Sequence, residues 1–201
     1  MKQDCKGLFL FSFILVSVMN PIEKLKQAID KKAPHLWDKE INLSRNDMLV
    51  QTGSIDNWIY YVESGALRIC VESENEIHTT RFAYRGSLIT VLDSFFRDIP
   101  TIYSIEAIRK SKAIRMEKNA FKMFVFADTE YTTLWQLLLE ELVLQQLERE
   151  VDLLHKSPAE RYQRVYERSP HLFQEIPHKY IAAYLRMTPE TFSRLHSSNN
   201  R

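Results

Sequence analysis

From Thr129 to Lys156 the chain runs for 28 residues without a glycine or a proline, and Leu, Glu and Gln dominate the stretch. A run of that kind folds as one continuous helix, roughly 40 Å long at about 1.5 Å per residue. It carries two apolar stripes. Trp135, Leu138 and Leu142 form one, and Leu137, Leu144, Leu147, Val151 and Leu154 form the other. From Leu144 the second stripe advances by 3, 4 and 3 residues, the alternation of a coiled-coil seam. A helix that serves only its own core needs one stripe. Two stripes imply that one docks on the rest of the chain and the other meets a second copy. The seam Leu137, Leu144, Leu147, Val151 and Leu154 is therefore expected to hold a homodimer.

Ahead of this helix the pattern is mostly short strands. Pro21 opens a helical run with Ile22, Leu25, Ala28 and Ile29 at 3–4 spacing, which Pro34 ends. From Ile41 onward come Met48–Gln51, Trp58–Glu63, Ala66–Glu72, Ile77–Tyr84, Tyr103–Ile108 and Ala113–Met116, rich in Ile, Val, Tyr and Trp. Turn residues separate them: Thr52-Gly53-Ser54, Ser64-Gly65, Glu74-Asn75 and Gly86. Ser64-Gly65 reads as a tight hairpin. Short strands at this spacing suggest a small β-barrel or roll. A short helix over Asn119–Phe126 links the roll to the long helix.

The first nineteen residues are different. Leu8–Val18 is almost wholly apolar but too short to span a bilayer as a helix. Asp4 sits among the leading basic residues, and no small-x-small cleavage site follows. Met19 opens a plausible start of a cytosolic protein. Residues 1–19 are thus expected to be upstream sequence, in preference to an export or anchoring segment or a buried extra element.

After the long helix, Ser157 and Pro158 supply an N-cap and a first-turn proline for a new helix ending near Arg168. Ser157 marks the expected domain boundary, giving units of 20–128, 129–156 and 157–201. Residues 157–201 hold seven Lys/Arg against four Asp/Glu, a modest basic excess in a chain whose net charge is +1. Pro177 starts a further helix with Tyr180, Ile181, Tyr184 and Leu185 apolar and Ala182-Ala183 small. After a break at Arg186-Met187, Thr188 is a good N-cap, Pro189 takes the first helical position and Glu190 suits the positive end of the dipole. Phe192 and Leu195 face inward, leaving Thr191, Ser193 and Arg194 for the outer face. Two short helices with a tight turn describe a helix-turn-helix, whose second helix enters the major groove. Glu190 can then accept from cytosine N4 and Arg194 can donate twice to guanine. Thr188 and Thr191 are placed for phosphates.

The order roll, long seam helix, helix-turn-helix resembles the family of the cyclic-AMP receptor protein and its FNR relatives, over about residues 20–196. The most specific parts are Ile181-Ala182-Ala183-Tyr184-Leu185 and Met187-Thr188-Pro189-Glu190-Thr191-Phe192-Ser193-Arg194, which look like the recognition motif. Trp58–Arg68 resembles the family's glycine-turn hairpin, and Pro158-Ala159-Glu160-Arg161-Tyr162 the start of its DNA-binding domain. The resemblance implies an α+β chain: a cyclic-nucleotide-binding-type β-roll, a dimerisation helix and a C-terminal helix-turn-helix. It implies a cytoplasmic homodimeric transcription regulator that binds double-stranded DNA, senses a small molecule in its roll and works with RNA polymerase, with no membrane partner.

Departures from the family are informative. Its phosphate cassette has Gly-Glu-Leu and then Pro-Arg-Ser/Thr, the Glu on the ribose and the Arg on the cyclic phosphate. Here the corresponding residues are taken as Gly86-Ser87-Leu88 and Pro100-Thr101-Ile102. The expected effector pocket is Gly86, Ser87, Leu88, Thr101 and Ile102, without the cation a buried phosphate requires. Arg97 and Arg109 are the nearest substitutes in sequence. An effector other than cyclic AMP is expected. Cys5 and Cys70 are too few for an iron–sulfur cluster, and no metal is expected; a haem would need His78 or Cys70 as axial ligand. Arg186 stands where the turn commonly holds glycine. After Arg194 only seven residues follow, without the family's basic extension or wing. That leaves a second reading, a ligand-sensing or interaction dimer that has lost DNA binding. An enzyme is disfavoured. A cupin-like site needs two or three His, and His78 is the one histidine between Ile41 and Met116.

Overall fold

The structure is a computed structural model that describes residues 20–74 and 76–199; the apolar leader 1–19, Cys5 with it, and the turn residue Asn75 lie outside the described residues. Asn20 caps the first helix, α1 (Pro21–Lys32), through a bond from the Ile22 N–H to its side chain at 2.9 Å. Leu25 and Ile29 are buried on the inner face, and Lys31 and Lys32 sit at the negative end of the dipole.

Eight strands follow: β1 (Trp37–Leu43), β2 (Met48–Val50), β3 (Trp58–Ser64), β4 (Ala66–Ser73), β5 (Glu76–Tyr84), β6 (Leu88–Ile89), β7 (Tyr103–Ala107) and β8 (Ser111–Glu117). They make two antiparallel four-stranded sheets, ordered β1-β8-β3-β6 and β2-β7-β4-β5. The roll's core includes Val62, Leu67, Ile105 and Ala107. The Ser64-Gly65 turn does not close the expected hairpin: β3 pairs with β6 and β8 and β4 with β5 and β7, so the turn carries the chain from one sheet to the other. Gly65 has φ +86°, and a Cβ there would collide with the Ser111 side chain and the Lys110 carbonyl. The turn needs glycine both for its backbone and for the close approach.

The sequence pattern misses three elements here. β1 carries Asp38-Lys39-Glu40, a charged run that hides its strand character; it is an edge strand paired with β8 alone, so these three side chains and Asn42 meet water. β6 has two residues. α2 (Leu92–Arg97) is a six-residue helix inside what reads as loop.

α3 (Lys118–Phe126) is capped by Glu117, whose carboxylate accepts from the Asn119 and Ala120 N–H groups. The long helix α4 spans Thr129–Leu154, capped by Asp128. Tyr131, Leu134, Trp135 and Leu138 pack with Leu25, Ile29, Phe95, Met116 and Phe121 into a second core between helices and roll. The stripe of Trp135, Leu138 and Leu142 therefore faces the roll, as its spacing requires.

Beyond α4 come α5 (Pro158–Arg168), α6 (Pro170–Glu175), α7 (His178–Tyr184) and α8 (Pro189–Asn199). Ser169-Pro170 ends α5, and Pro170 at once begins another helix. Tyr162, Phe173, Ile181 and Phe192 form a third core, continuous with Ala66 and Ile108 of the roll.

Candidate functional site

α7 and α8 are joined by a Schellman turn. The Met187 N–H bonds the Ala182 carbonyl at 3.0 Å and the Arg186 N–H bonds that of Ala183 at 3.1 Å. Arg186 takes the left-handed position, φ 52°, that the motif usually gives to glycine. The turn is held from below. Arg161 donates to the carbonyls of Leu185 (2.8 Å) and Arg186 (3.0 Å), and also to those of His155 and Lys156. One buried guanidinium thus ties the end of α4 to the α7–α8 turn.

Thr188 caps α8, its hydroxyl accepting from the Thr191 N–H at 3.3 Å and donating to the Thr191 hydroxyl. Glu190 is exposed, and its own backbone N–H and then the Thr188 hydroxyl hold its carboxyl below the ordinary value. Phe192 is buried against Tyr162 and Phe173. His196 adds a second anchor, its Nδ1 2.9 Å from the Tyr162 hydroxyl. Ser193 and Arg194 point to solvent, while Thr191 is half-buried. The five residues expected to read DNA therefore share one short helix, four of them exposed and the fifth turned partly inward.

Where α4 meets the C-terminal helices, charge is buried and paired. Asp152, 2% exposed, accepts from Arg164 at 2.9 Å and Arg168 at 2.5 Å. Arg149, 9% exposed, lies 3.7 Å from the centre of the Tyr184 ring and donates to the carbonyls of Tyr184 on α7 and Thr79 on β5. Long helix, roll and helix-turn-helix meet at this side chain. In the sequence both residues read as part of α4's polar face, since nothing local reveals what packs there. The opposite face carries the expected seam: Leu137, Leu144, Leu147 and Val151 are exposed, and Leu154 is 80% exposed.

The expected effector pocket divides in two. Gly86 and Ser87 form the β5–β6 turn, bonded to Val62 and Tyr84, and stand apart from Thr101 and Ile102. The residues that lead into α2 are Thr90 and Val91, Val91 standing directly before it. Thr101, 1% exposed, and Ile102 meet Asp93 instead. One Asp93 oxygen accepts from the Thr101 hydroxyl at 2.8 Å and the other from the Ile102 N–H at 3.0 Å. The donors an incoming phosphate would use are taken by an internal carboxylate. Arg97 is exposed at the end of α2, and Arg109 lies 3.6 Å from Glu175 of α6, so neither substitute turns to the cassette.

Leu88 lines a different space, a cleft between the roll and α4 with Leu138, Leu142 and Gln145 across from it. Arg81 of β5 also lines it. The sequence offers only a weak signal for Arg81, a charge at an inward position of an alternating strand. Near α2, Asp56 is 6% exposed and accepts from the Tyr60 hydroxyl at 2.8 Å, while its second oxygen has no partner among the described residues. Burial pushes its carboxyl up to about 6.

Residues 40–128 match the family model of the cyclic nucleotide-binding domain. Among proteins of curated function, none matches the chain by sequence. Solved structures share its fold over most of its length. FixK2 of Bradyrhizobium japonicum is 19% identical, with TM-score 0.66 over 80% of this chain and 83% of that one. CooA of Carboxydothermus hydrogenoformans is 16% identical, with TM-score 0.67 over 87% and 83%. The Thermus thermophilus catabolite activator protein is 18% identical, with TM-score 0.53 over 89% and 85%. These neighbours are regulators of the cyclic-AMP receptor protein and FNR family, and the fold resemblance drawn from the sequence is upheld. Among the described residues no helix is long and apolar enough to cross a membrane.

Proposed function

We propose that this chain is a homodimeric transcription regulator that reads an inverted repeat through α8 and responds to a small effector other than cyclic AMP. The observation that carries the reading is the α7–α8 pair: a capped helix seated on Phe192, with Glu190, Ser193 and Arg194 facing solvent. Polar side chains on the outer face of such a helix reach base edges when it enters the major groove. The exposed row Leu137, Leu144, Leu147, Val151 and Leu154 supports pairing of two α4 helices, which would relate two α8 helices by a two-fold axis. Asp93 at the cassette supports an effector other than a cyclic nucleotide, since its carboxylate repels a phosphate there.

Selection from a random DNA library tests this, with wild type and Arg194→Ala side by side. Wild type should enrich a palindrome with half-sites about one helical turn apart, roughly 34–36 Å. Arg194→Ala should lose preference at one position per half-site, at about 1–3 kcal/mol. If wild type enriches no palindrome at low salt, the interaction-dimer reading replaces this one.

A further inference from the structure

We propose that Asp56 works as a proton-operated latch on α2, seating the helix against the roll while its carboxyl is neutral and loosening the seat when the carboxyl ionises. The latch lies within the roll and is independent of DNA reading by α8. Asp56 stands in the loop between β2 and β3, and its backbone N–H donates to the buried Ser94 hydroxyl of α2 at 2.8 Å. The neighbouring Asp93 makes the next link, accepting from the Thr101 hydroxyl and the Ile102 N–H. Thr101 closes the ring. Its carbonyl accepts from the Gly53 N–H at 2.8 Å, and its own N–H donates to the Ser54 carbonyl at 2.9 Å. The β2–β3 loop, α2 and the Thr101 segment are thus one hydrogen-bonded circuit, and the buried carboxyl of Asp56 belongs to it.

That carboxyl is half provided for. One oxygen accepts from the Tyr60 hydroxyl of β3, and the other is buried without a hydrogen-bond partner among the described residues. A neutral carboxyl tolerates such a setting far better than an ionised one, which needs water or a cation. The neighbouring cations are committed elsewhere. Arg115 of β8, whose charge reaches Asp56, lies 3.7 Å from the centre of the Trp58 ring and pairs with Asp38 at 2.8 Å. Lys118 of α3, whose N–H bonds the Asn57 carbonyl, turns its side chain to Asp98 at the end of α2. From α2 itself, Asp93 and Ser94 are engaged in the circuit. Tyr60 cannot give up its proton instead, because burial and then the Asp56 charge push its hydroxyl up. Relief for an ionised Asp56 comes from water, admitted where the β2–β3 loop meets α2. The shift of the carboxyl agrees, burial raising it to about 6.

Hydrogen exchange of the full chain tests this. Protection of the α2 amides, corrected for the intrinsic pH dependence of exchange, should fall about tenfold in wild type between about pH 5 and pH 7.5. That is the change given by a carboxyl that titrates at about 6 when closed and about 4 when open. The fall should be unaltered in dilute urea, because the opening is local. Asp56→Asn keeps an oxygen for Tyr60 and carries no charge, so its α2 protection should stay level across that range. Carbon-13 NMR of the wild-type carboxyl gives a reading free of any folding defect in the variant, and Asp56 should titrate near pH 6. Level α2 protection in wild type, a fall that grows with urea as global unfolding does, an equal fall in Asp56→Asn, or an Asp56 that titrates at the ordinary carboxylate value would each overturn the proposal. None of these readings involves DNA, so the proposed role of α8 stands or falls separately.

Discussion

The two ends of α4 treat buried charge in opposite ways. At its C-terminal end Asp152, Arg149 and Arg161 are buried and bonded, to Arg164 and Arg168 or to carbonyls of the roll and the α7–α8 turn. Toward its N-terminal end the roll keeps a buried carboxylate oxygen without such a partner, one of the two on Asp56. A buried charge with full hydrogen bonding fixes geometry, and one without it costs free energy until something binds or a proton moves. The contrast separates a junction that holds the α7–α8 pair in one place from a roll that keeps an unpartnered carboxylate oxygen in its interior.

The largest effect should come from the junction. Asp152→Ala removes the buried partner of Arg164 and Arg168, which stay partly exposed and keep Glu148, so the loss should be that of charged hydrogen bonds, about 1.5–3 kcal/mol, and not that of an orphaned buried charge. Urea unfolding should show a drop of that order. A change under 1 kcal/mol would erase the contrast.

Asp56 should behave in the other direction. Its folded pKa, about 6, lies above the ordinary carboxylate value. The protonated form is therefore favoured by folding, and its stabilisation is present below about pH 4 and lost as pH rises through about 6. Asp56→Asn, which keeps an amide oxygen to accept from Tyr60, should remove that dependence. At pH 7.5 it should be more stable than wild type by about 1–2 kcal/mol, allowing for screening. At pH 4 the two should match. A variant destabilised at both pH values would put Asp56 among the fully satisfied charges.

Arg186→Gly refines the junction. A non-glycine residue at φ 52° costs about 1 kcal/mol, partly offset by the greater freedom glycine has when unfolded. A gain of about 0.5 kcal/mol in the thermal transition is expected. A loss would mean that the Arg186 side chain itself holds the turn.

Much of this molecule can be read from its sequence because its strongest signals are local. The absence of glycine and proline marks α4, Ser64-Gly65 marks a turn, though between sheets and not within a hairpin, and Thr188-Pro189 starts α8. What is missed depends on distant neighbours. β1 is disguised by charges that an edge strand can expose, and α2 is too short for a period. Gly86 resembles the family's cassette glycine in sequence, and in the fold it serves the β5–β6 turn. Arg149 and Asp152 look like solvent-facing charges until α5, α7 and β5 close over them.

In the proposed regulator, α4 pairing sets the spacing of the two α8 helices on DNA. Sedimentation of the full chain with its selected palindromic duplex, beside Leu147→Asp, tests it most directly. Leu147 is exposed on the single chain, so the variant should fold, while a charge buried in the seam should leave it monomeric. Wild type should sediment as two chains per duplex, and Leu147→Asp as a monomer with affinity at least about 100-fold lower, the second α8 no longer being tethered. A Leu147→Asp chain that binds the palindrome as a dimer with wild-type affinity would contradict the claim.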